Sequence, residues 1–373
     1  MNGRGRGAAD GTRLMFPSHL PPAQLPMRPR GVPGRATERS RLRAEQTLRT
    51  TPLAISGPVG VGKTDFALRY AHDMAAATPD GQLYADLGAT EPQGDSAEVI
   101  LPAFLRALGI TDQRLPDVRW QQECLYRSVV ARCRLIVLLD NVRDEAQVRP
   151  LMAETSRSLL IVISRRPLLG LNDVRRLDLD VLPRHESIAM LQSLVGEHAE
   201  KQVCDRLAEL CGDLPLALDV AGRKLAARPD QALSDVVDHL ALHGDLLEWL
   251  RVGDICVRDV LDAAYQTLTL PSRSLLDRLG RRKPSDAETG ALEPVMGMSV
   301  PSGRDELLGE LVETGMLRRG ATPSGYRLDP LLRAFVHGQS CRLERRPALS
   351  RPKKFTGQRR LTLRPAGTMS VRA

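Results

Sequence analysis

Aromatic side chains are scarce, at 3% of 373 residues, so a core has to be assembled from leucine, valine, isoleucine and alanine. The six cysteines (Cys124, Cys133, Cys204, Cys211, Cys256, Cys341) are scattered and form no C-x-x-C pair. That spacing argues against a zinc site or a disulfide framework and for a reducing compartment, the cytoplasm. No stretch approaches the ~18 apolar residues of a membrane span, and the basic, Gly-rich N-terminus lacks the apolar centre of a secretory signal. Membrane insertion is excluded on this reading. The length suits two or three domains.

The formal net charge of +8 conceals an asymmetry. Residues 1–50 hold ten arginines against Asp10, Glu38 and Glu45, and residues 341–373 hold ten basic residues against Glu344. The ends therefore carry +7 and +9, which leaves −8 on residues 51–340. Basic ends could attract the phosphates of a nucleic acid. Solvated tails are the commoner reason for such runs, and nucleic acid is not the favoured partner.

The most informative stretch is Gly57-Pro58-Val59-Gly60-Val61-Gly62-Lys63-Thr64. An apolar run at 52–55 precedes it and a helical pattern at 64–71 follows, which is the strand, loop, helix context that G-x-x-x-x-G-K-[ST] requires. Glycines let several backbone N–H groups face a phosphate, and the helix N-terminus adds its positive end. Lys63 would reach the β/γ-phosphates and the Thr64 hydroxyl would ligate Mg²⁺. A Gly-rich turn that merely precedes a lysine is the bland alternative, and the flanking strand and helix argue against it. The chain reads as nucleotide-binding.

Strands are expected at 82–87, 135–139, 159–163 and 174–181, alternating with helices at 97–108 and 120–133. That alternation predicts an α/β domain of about 150 residues around a parallel sheet. The run at 135–139 is apolar throughout, as in a strand buried on both faces, and leads directly into Asp140-Asn141. An acid at that end lies on the edge where open α/β sheets bind ligands. Asp140 is therefore read as the second Mg²⁺ residue, direct or through water, rather than an ordinary strand-ending acid. The strand at 159–163 emerges on the same edge, so Arg165 could reach a terminal phosphate; a solvated turn is the alternative.

After Pro183 the period becomes helical, at 186–195, 201–211, 215–227 and 233–250. From Val257 two helices, a third at 304–317 and a hairpin across 318–328 predict a winged-helix arrangement. The third helix sets Arg304 against Asp305, Glu306, Glu310 and Glu313, a net −3 that would repel DNA. The wing is read as a packing module. The expected organisation is a disordered Pro/Arg-rich linker (1–31), a P-loop nucleotide-binding domain (32–182), a helical domain (183–252), a winged-helix domain (253–340) and a disordered basic tail (341–373).

In this order the motifs resemble the NB-ARC group of STAND-class signal-transduction NTPases, and within it the bacterial regulators of secondary-metabolism genes. Val32-Pro33-Gly34-Arg35-Ala36-Thr37-Glu38 is similar to the group's opening h-h-G-R-x-x-E, which implies that Arg35 lies by the adenine. Leu138-Leu139-Asp140-Asn141 resembles its Mg²⁺ strand, Ile163-Ser164-Arg165 its γ-phosphate sensor, and Cys211-Gly212-Asp213-Leu214-Pro215-Leu216-Ala217-Leu218 its C-G-G-L-P-L-A-L, whose proline packs on the base. The resemblance implies a switch closed by ADP and opened by ATP, acting on a partner protein.

Three departures bear on that implication. Asn141 stands where related ATPases carry a second acid; an amide cannot take a proton from water, so hydrolysis should be slow. Asp213 replaces a glycine, a mild change because aspartate tolerates turn conformations. Tyr326-Arg327-Leu328-Asp329-Pro330-Leu331-Leu332 aligns with Y-R-M-H-D-L-L, placing Asp329 where a histidine touches the ADP β-phosphate. A carboxylate ~4 Å from a diphosphate repels it by about 1–4 kcal/mol, depending on the dielectric. The resemblance thus implies a weakened ADP-closed state. The DNA-binding effector and helical repeats of such regulators are not legible, so a truncated product is one open reading. The others are a slow Mg-dependent ATPase or phosphotransferase and a DNA-binding regulator.

Overall fold

A computed structural model describes residues 20–29, 34–45, 51–88, 97–153, 157–196, 199–228, 230–243, 246–281, 303–319 and 325–344. Val32, Pro33, the hairpin turn at 320–324 and most of the expected basic tail lie outside the described residues.

The first unit comprises α1 (Ala36–Glu45), β1 (Leu53–Ser56), α2 (Lys63–Met74), β2 (Gln82–Asp86), α3 (Ala97–Ala107), α4 (Arg119–Val130), β3 (Ile136–Val142), α5 (Glu145–Val148), β4 (Leu159–Ser164) and β5 (Arg175–Asp178). Its five strands are all parallel, in the order β2-β3-β4-β1-β5. Two apolar layers follow from the period-2 alternation of the central strands. Ile136, Leu138, Leu159, Ile161 and Ile163 pack against α2, through Phe66, Ala67, Tyr70 and Ala71. Val137, Leu139, Leu160 and Val162 face Leu101, Phe104 and Leu105 of α3 and Tyr126 of α4. Each large side chain buried this way contributes about 1.5–3 kcal/mol. The strand order sets β4 between β1 and β3, so the ends of these three neighbours meet at one edge.

The second unit is helical: α6 (Arg184–Val195), α7 (Lys201–Leu210), α8 (Pro215–Ala226), α9 (Leu233–His243) and α10 (Leu246–Trp249). Buried Val203, Cys204, Leu207 and Ala208 form the inner stripe of α7 at helical spacing. Between α7 and α8, Asp213 takes φ 54°, a left-handed turn. Its carboxylate accepts from Arg184 Nε at 2.8 Å and Nη2 at 2.9 Å, fixing the turn to α6. Pro215 then opens α8 at the one position where a missing N–H costs nothing.

The third unit has a short ribbon of β6 (Arg251–Val252) and β7 (Ile255–Cys256), then α11 (Val257–Gln266), α12 (Leu270–Gly280), α13 (Arg304–Glu313), β8 (Arg318–Arg319), β9 (Tyr326–Arg327) and α14 (Pro330–Glu344). Here α13 stops four residues short of the expected helix. Gly315 takes φ 73°, and the Met316 N–H closes back on the Leu311 carbonyl at 2.9 Å, a left-handed cap that only glycine adopts cheaply. A Cβ on Gly315 would lie 2.4 Å from Pro58 Cα, so this turn rests directly on the glycine loop.

Residues 20–29 depart from the expected disordered linker. Gln24 N–H donates to the Gln82 carbonyl at 3.1 Å, and Gln82 N–H donates to the Pro22 carbonyl at 2.6 Å. The segment thereby extends the β2 edge. Leu25 packs against the α2 core, and Arg28 pairs with Asp73 at 2.6 Å. Composition argued that this stretch could not form a core, and it does not. It borrows one, and prolines are tolerated because an edge needs only some of their backbone groups.

Among the described residues, no helix is long and apolar enough to cross a membrane.

Candidate functional site

The glycine loop (57–62) connects β1 to α2, with β4 and β3 ending beside it. Lys63 Nζ donates to the carbonyls of Gly57 and Pro58, both at 2.8 Å. Burial, then the neighbouring Arg165 charge, push this ammonium down to about 8. The lysine sits among carbonyls in a place that disfavours its charge. An arriving anion would reverse that.

Thr64 Oγ1 donates to Asp140 Oδ1 at 3.2 Å, and the Asn141 N–H donates to the same oxygen at 2.8 Å. Asp140 pairs across the ladder with Asp86, and the register shifts between Leu139 and Val142. That bulge turns Asn141 to φ 53° and re-aims the strand end, a recurrent use of bulges beside sites. Burial pushes the Asp140 carboxyl up, opposed by the Asn141 N–H and the Thr64 hydroxyl. The hydroxyl and the buried carboxylate fit Mg²⁺, which takes one or two protein oxygens and fills its octahedron with phosphate and water. No group of three His, Cys, Asp or Glu able to hold a metal occurs among the described residues.

Arg165 follows β4 into the same cavity of about 550 Å³, which Gly60, Gly62, Lys63, Thr64 and Asn141 also line. Its Nη1 is buried without a hydrogen-bond partner, and burial pulls its pKa down. A buried guanidinium nitrogen without an acceptor is an unmet demand for an anion. With Lys63 opposite, the site fits a polyphosphate.

Arg35 lies apart from these cations, lining a smaller cavity with Phe66, Leu182 and Pro215. Its guanidinium donates to the Val61 carbonyl at 3.3 Å and to the Asp180 carbonyl, and pairs with Glu38 at 3.0 Å. It therefore braces the loop and the chain after β5. Pro215 lines both cavities, and the Leu216 N–H donates to the Gly60 carbonyl at 3.0 Å, tying α8 to the loop. Val59 is buried in the helical core, while Val61 belongs to the α2 core.

Asp329 does not line the cavity that holds Lys63. It lies, 5% exposed, beside a small separate cavity with Pro58, Val59, Gly212 and Arg318. Arg318 Nε is 2.7 Å from its Oδ2 and Arg327 Nε is 3.6 Å from its Oδ1. The first contact is an ion pair by distance without hydrogen-bond alignment, and both Arg318 Nε and Asp329 Oδ1 lack a hydrogen-bond partner. Burial pushes this carboxyl up, and Arg318 pulls it back down. The bare carboxylate expected to face a diphosphate is here a charge met by two arginines. That pairing is not legible from local sequence, because the hairpin brings Arg318 back to Asp329.

Several other contributors escape sequence reasoning. Asp86 Oδ1 accepts from Asn141 Nδ2 at 2.9 Å, so the amide in place of a second acid is engaged. Pro29, from the edge segment, lines the large cavity. Asp219 and Arg223 line it too, and their spacing of four and eight residues from Pro215 was the available signal.

No protein-family model matches the chain. It is 36% identical over 295 residues to regulatory protein AfsR of Streptomyces coelicolor, covering 78% of this chain and 30% of that protein. To regulatory protein AfsR of Streptomyces griseus it is 33% identical over 348 residues, covering 90% and 36%. The chain thus spans about a third of the length of the curated relatives it matches. Disease resistance protein RML1B of Arabidopsis thaliana is 30% identical over 240 residues, covering 58% of this chain and 22% of that protein. A solved STAND protein with a tetratricopeptide repeat sensor, from Pyrococcus horikoshii, superposes with a TM-score of 0.42 at 19% identity, over 84% of this chain and 43% of that one. By these sequence relatives, the chain is a homologue of the AfsR regulatory proteins over about a third of their length.

Proposed function

We propose that this chain is a nucleotide-dependent regulatory switch that binds ADP or ATP with Mg²⁺ and signals through a partner protein, in the service of transcriptional control. One observation carries the reading. Lys63, Thr64 and Arg165 line one cavity, Asp140 is hydrogen-bonded to Thr64 behind it, and the helical and third units both rest on its glycine loop. When bound, Mg²⁺ would neutralise phosphate charge between Thr64 and Asp140. Lys63 and Arg165 would bind the phosphates, Arg35 would brace the base side, and Pro215 would border the base.

The loop is clamped from two directions. Leu216 is bonded to Gly60, and Gly315 is seated on Pro58. Arg166 adds an exposed pair with Glu313 at 3.6 Å. A nucleotide that changes the loop has to change these contacts, and it shifts the equilibrium only by its differential affinity for the two arrangements. We treat the third unit as a winged helix used for packing, since α13 carries Asp305, Glu306, Glu310 and Glu313. Fast hydrolysis is not required of a switch, and Asn141 offers no base for it.

Hydrogen exchange on the full chain tests this reading. With Mg–AMP-PNP, the amides of residues 315–317 should exchange faster than with Mg–ADP, because the third unit leaves the loop while α8 stays docked on Gly60. Binding of both nucleotides with identical exchange at these amides would make the chain a nucleotide carrier and overturn the switch.

A further inference from the structure

We propose that Arg223 is the residue by which the helical unit tells a nucleoside triphosphate from a diphosphate, exchanging Asp219 for the terminal phosphate. The proposal rests on the nucleotide reading above. Because α8 starts on the glycine loop, Asp219 and Arg223 stand one and two turns further on, four and eight residues past Pro215. They share its face of the helix, with Arg223 roughly 12 Å along the axis from Pro215.

All three line the large cavity with Lys63 and Arg165. Of the three, Pro215 alone also lines the smaller cavity beside Arg35. Asp219 and Arg223 are therefore on the phosphate side of the proline. That position suits a cation whose acceptor is present in one nucleotide and missing from the other.

Arg223 is held in a way that permits the exchange. Its Nε and Nη2 each lie 2.9 Å from the Asp219 carboxylate, but its side chain is 53% exposed. Exposed pairs at this helical spacing are weak, and a terminal phosphate brings more charge and three acceptor oxygens. The exchange has an opposing cost. It leaves Asp219 near Asp65, whose carboxyl burial already pushes up and whose partner Arg69 lies 3.9 Å away. A diphosphate leaves Arg223 on Asp219.

Calorimetric titration of the full chain with Mg–ADP and Mg–AMP-PNP tests this. Arg223→Ala should weaken AMP-PNP about tenfold, the loss of one charged hydrogen bond, and leave ADP within about twofold. Arg223→Lys should recover part of the loss. Asp219→Asn, which releases the arginine, should tighten AMP-PNP relative to ADP. The nucleotide-free unfolding midpoint of Arg223→Ala should match wild type, which a structural role would not allow. Equal weakening of both nucleotides, or of neither, overturns this proposal and leaves the nucleotide reading standing. A wild-type chain that binds neither nucleotide overturns that reading, and this proposal with it.

Discussion

Arg318→Ala should destabilise the chain by about 3–5 kcal/mol, the cost of leaving a buried charge without its partner. The side chains of Arg318 and Asp329 are 14% and 7% exposed, so water cannot take over. The remaining neighbour, Arg327, stands 3.6 Å from the carboxylate and is itself 63% exposed. Arg318 also reaches Asp180 at 3.4 Å, so its loss frees the hairpin from the chain after β5. The pairing, rather than the volume of the arginine, is the cause. Combining Arg318→Met with Asp329→Leu should therefore recover most of the stability, as apolar replacement of a buried pair often does. Urea unfolding of the single and double variants measures this. A cost below about 1 kcal/mol for Arg318→Ala would place the pair among weak surface bridges and remove it from the account of how the third unit is held.

Gly57→Ala should be almost as damaging, and for a reason of shape alone. Gly57 takes φ 141°, which other residues rarely adopt, and a Cβ there would lie 2.1 Å from the Leu179 carbonyl oxygen. Leu179 is fully buried, and its N–H is bonded to the Ser56 carbonyl at 2.9 Å, so the obstacle is anchored backbone. Relief has to come from moving the loop. The expected cost is on the order of 3 kcal/mol, combining backbone strain with overpacking. The Gly57 carbonyl also holds Lys63, so nucleotide affinity should fall with stability. Retention of wild-type stability and nucleotide affinity would contradict this geometry.

That the phosphate loop, Asp140 and Arg165 come to one sheet edge was legible in the sequence because each belongs to a local pattern. An apolar strand of fixed length ends in the residue that matters, and parallel strands deliver such ends to one edge. What was not legible depends on distant pieces of chain. Asp329 looked like a bare carboxylate because its partner, Arg318, is brought back only by the hairpin. The bulge at Asn141 is a property of the β3–β4 pairing, invisible in either strand alone. Residues 20–29 were misread because composition reports whether a segment can build a core, and this one leans on the α2 core. Arg223 lay between these cases. Its helical spacing from Pro215 was readable, but the docking of α8 on Gly60 gives that face its meaning.

Thermal unfolding of the full chain, with and without nucleotide, tests most directly whether Lys63, Thr64, Asp140 and Arg165 form a nucleotide site. At about 100 times Kd, ADP or Mg-ATP should add roughly 2.7 kcal/mol of stability to the wild type. Lys63→Ala should fold without the gain, since the hydrogen bonds of Lys63 go to the Gly57 and Pro58 carbonyls, which water can serve once exposed. No shift of the wild type with either nucleotide, or an equal shift in Lys63→Ala, would contradict the account.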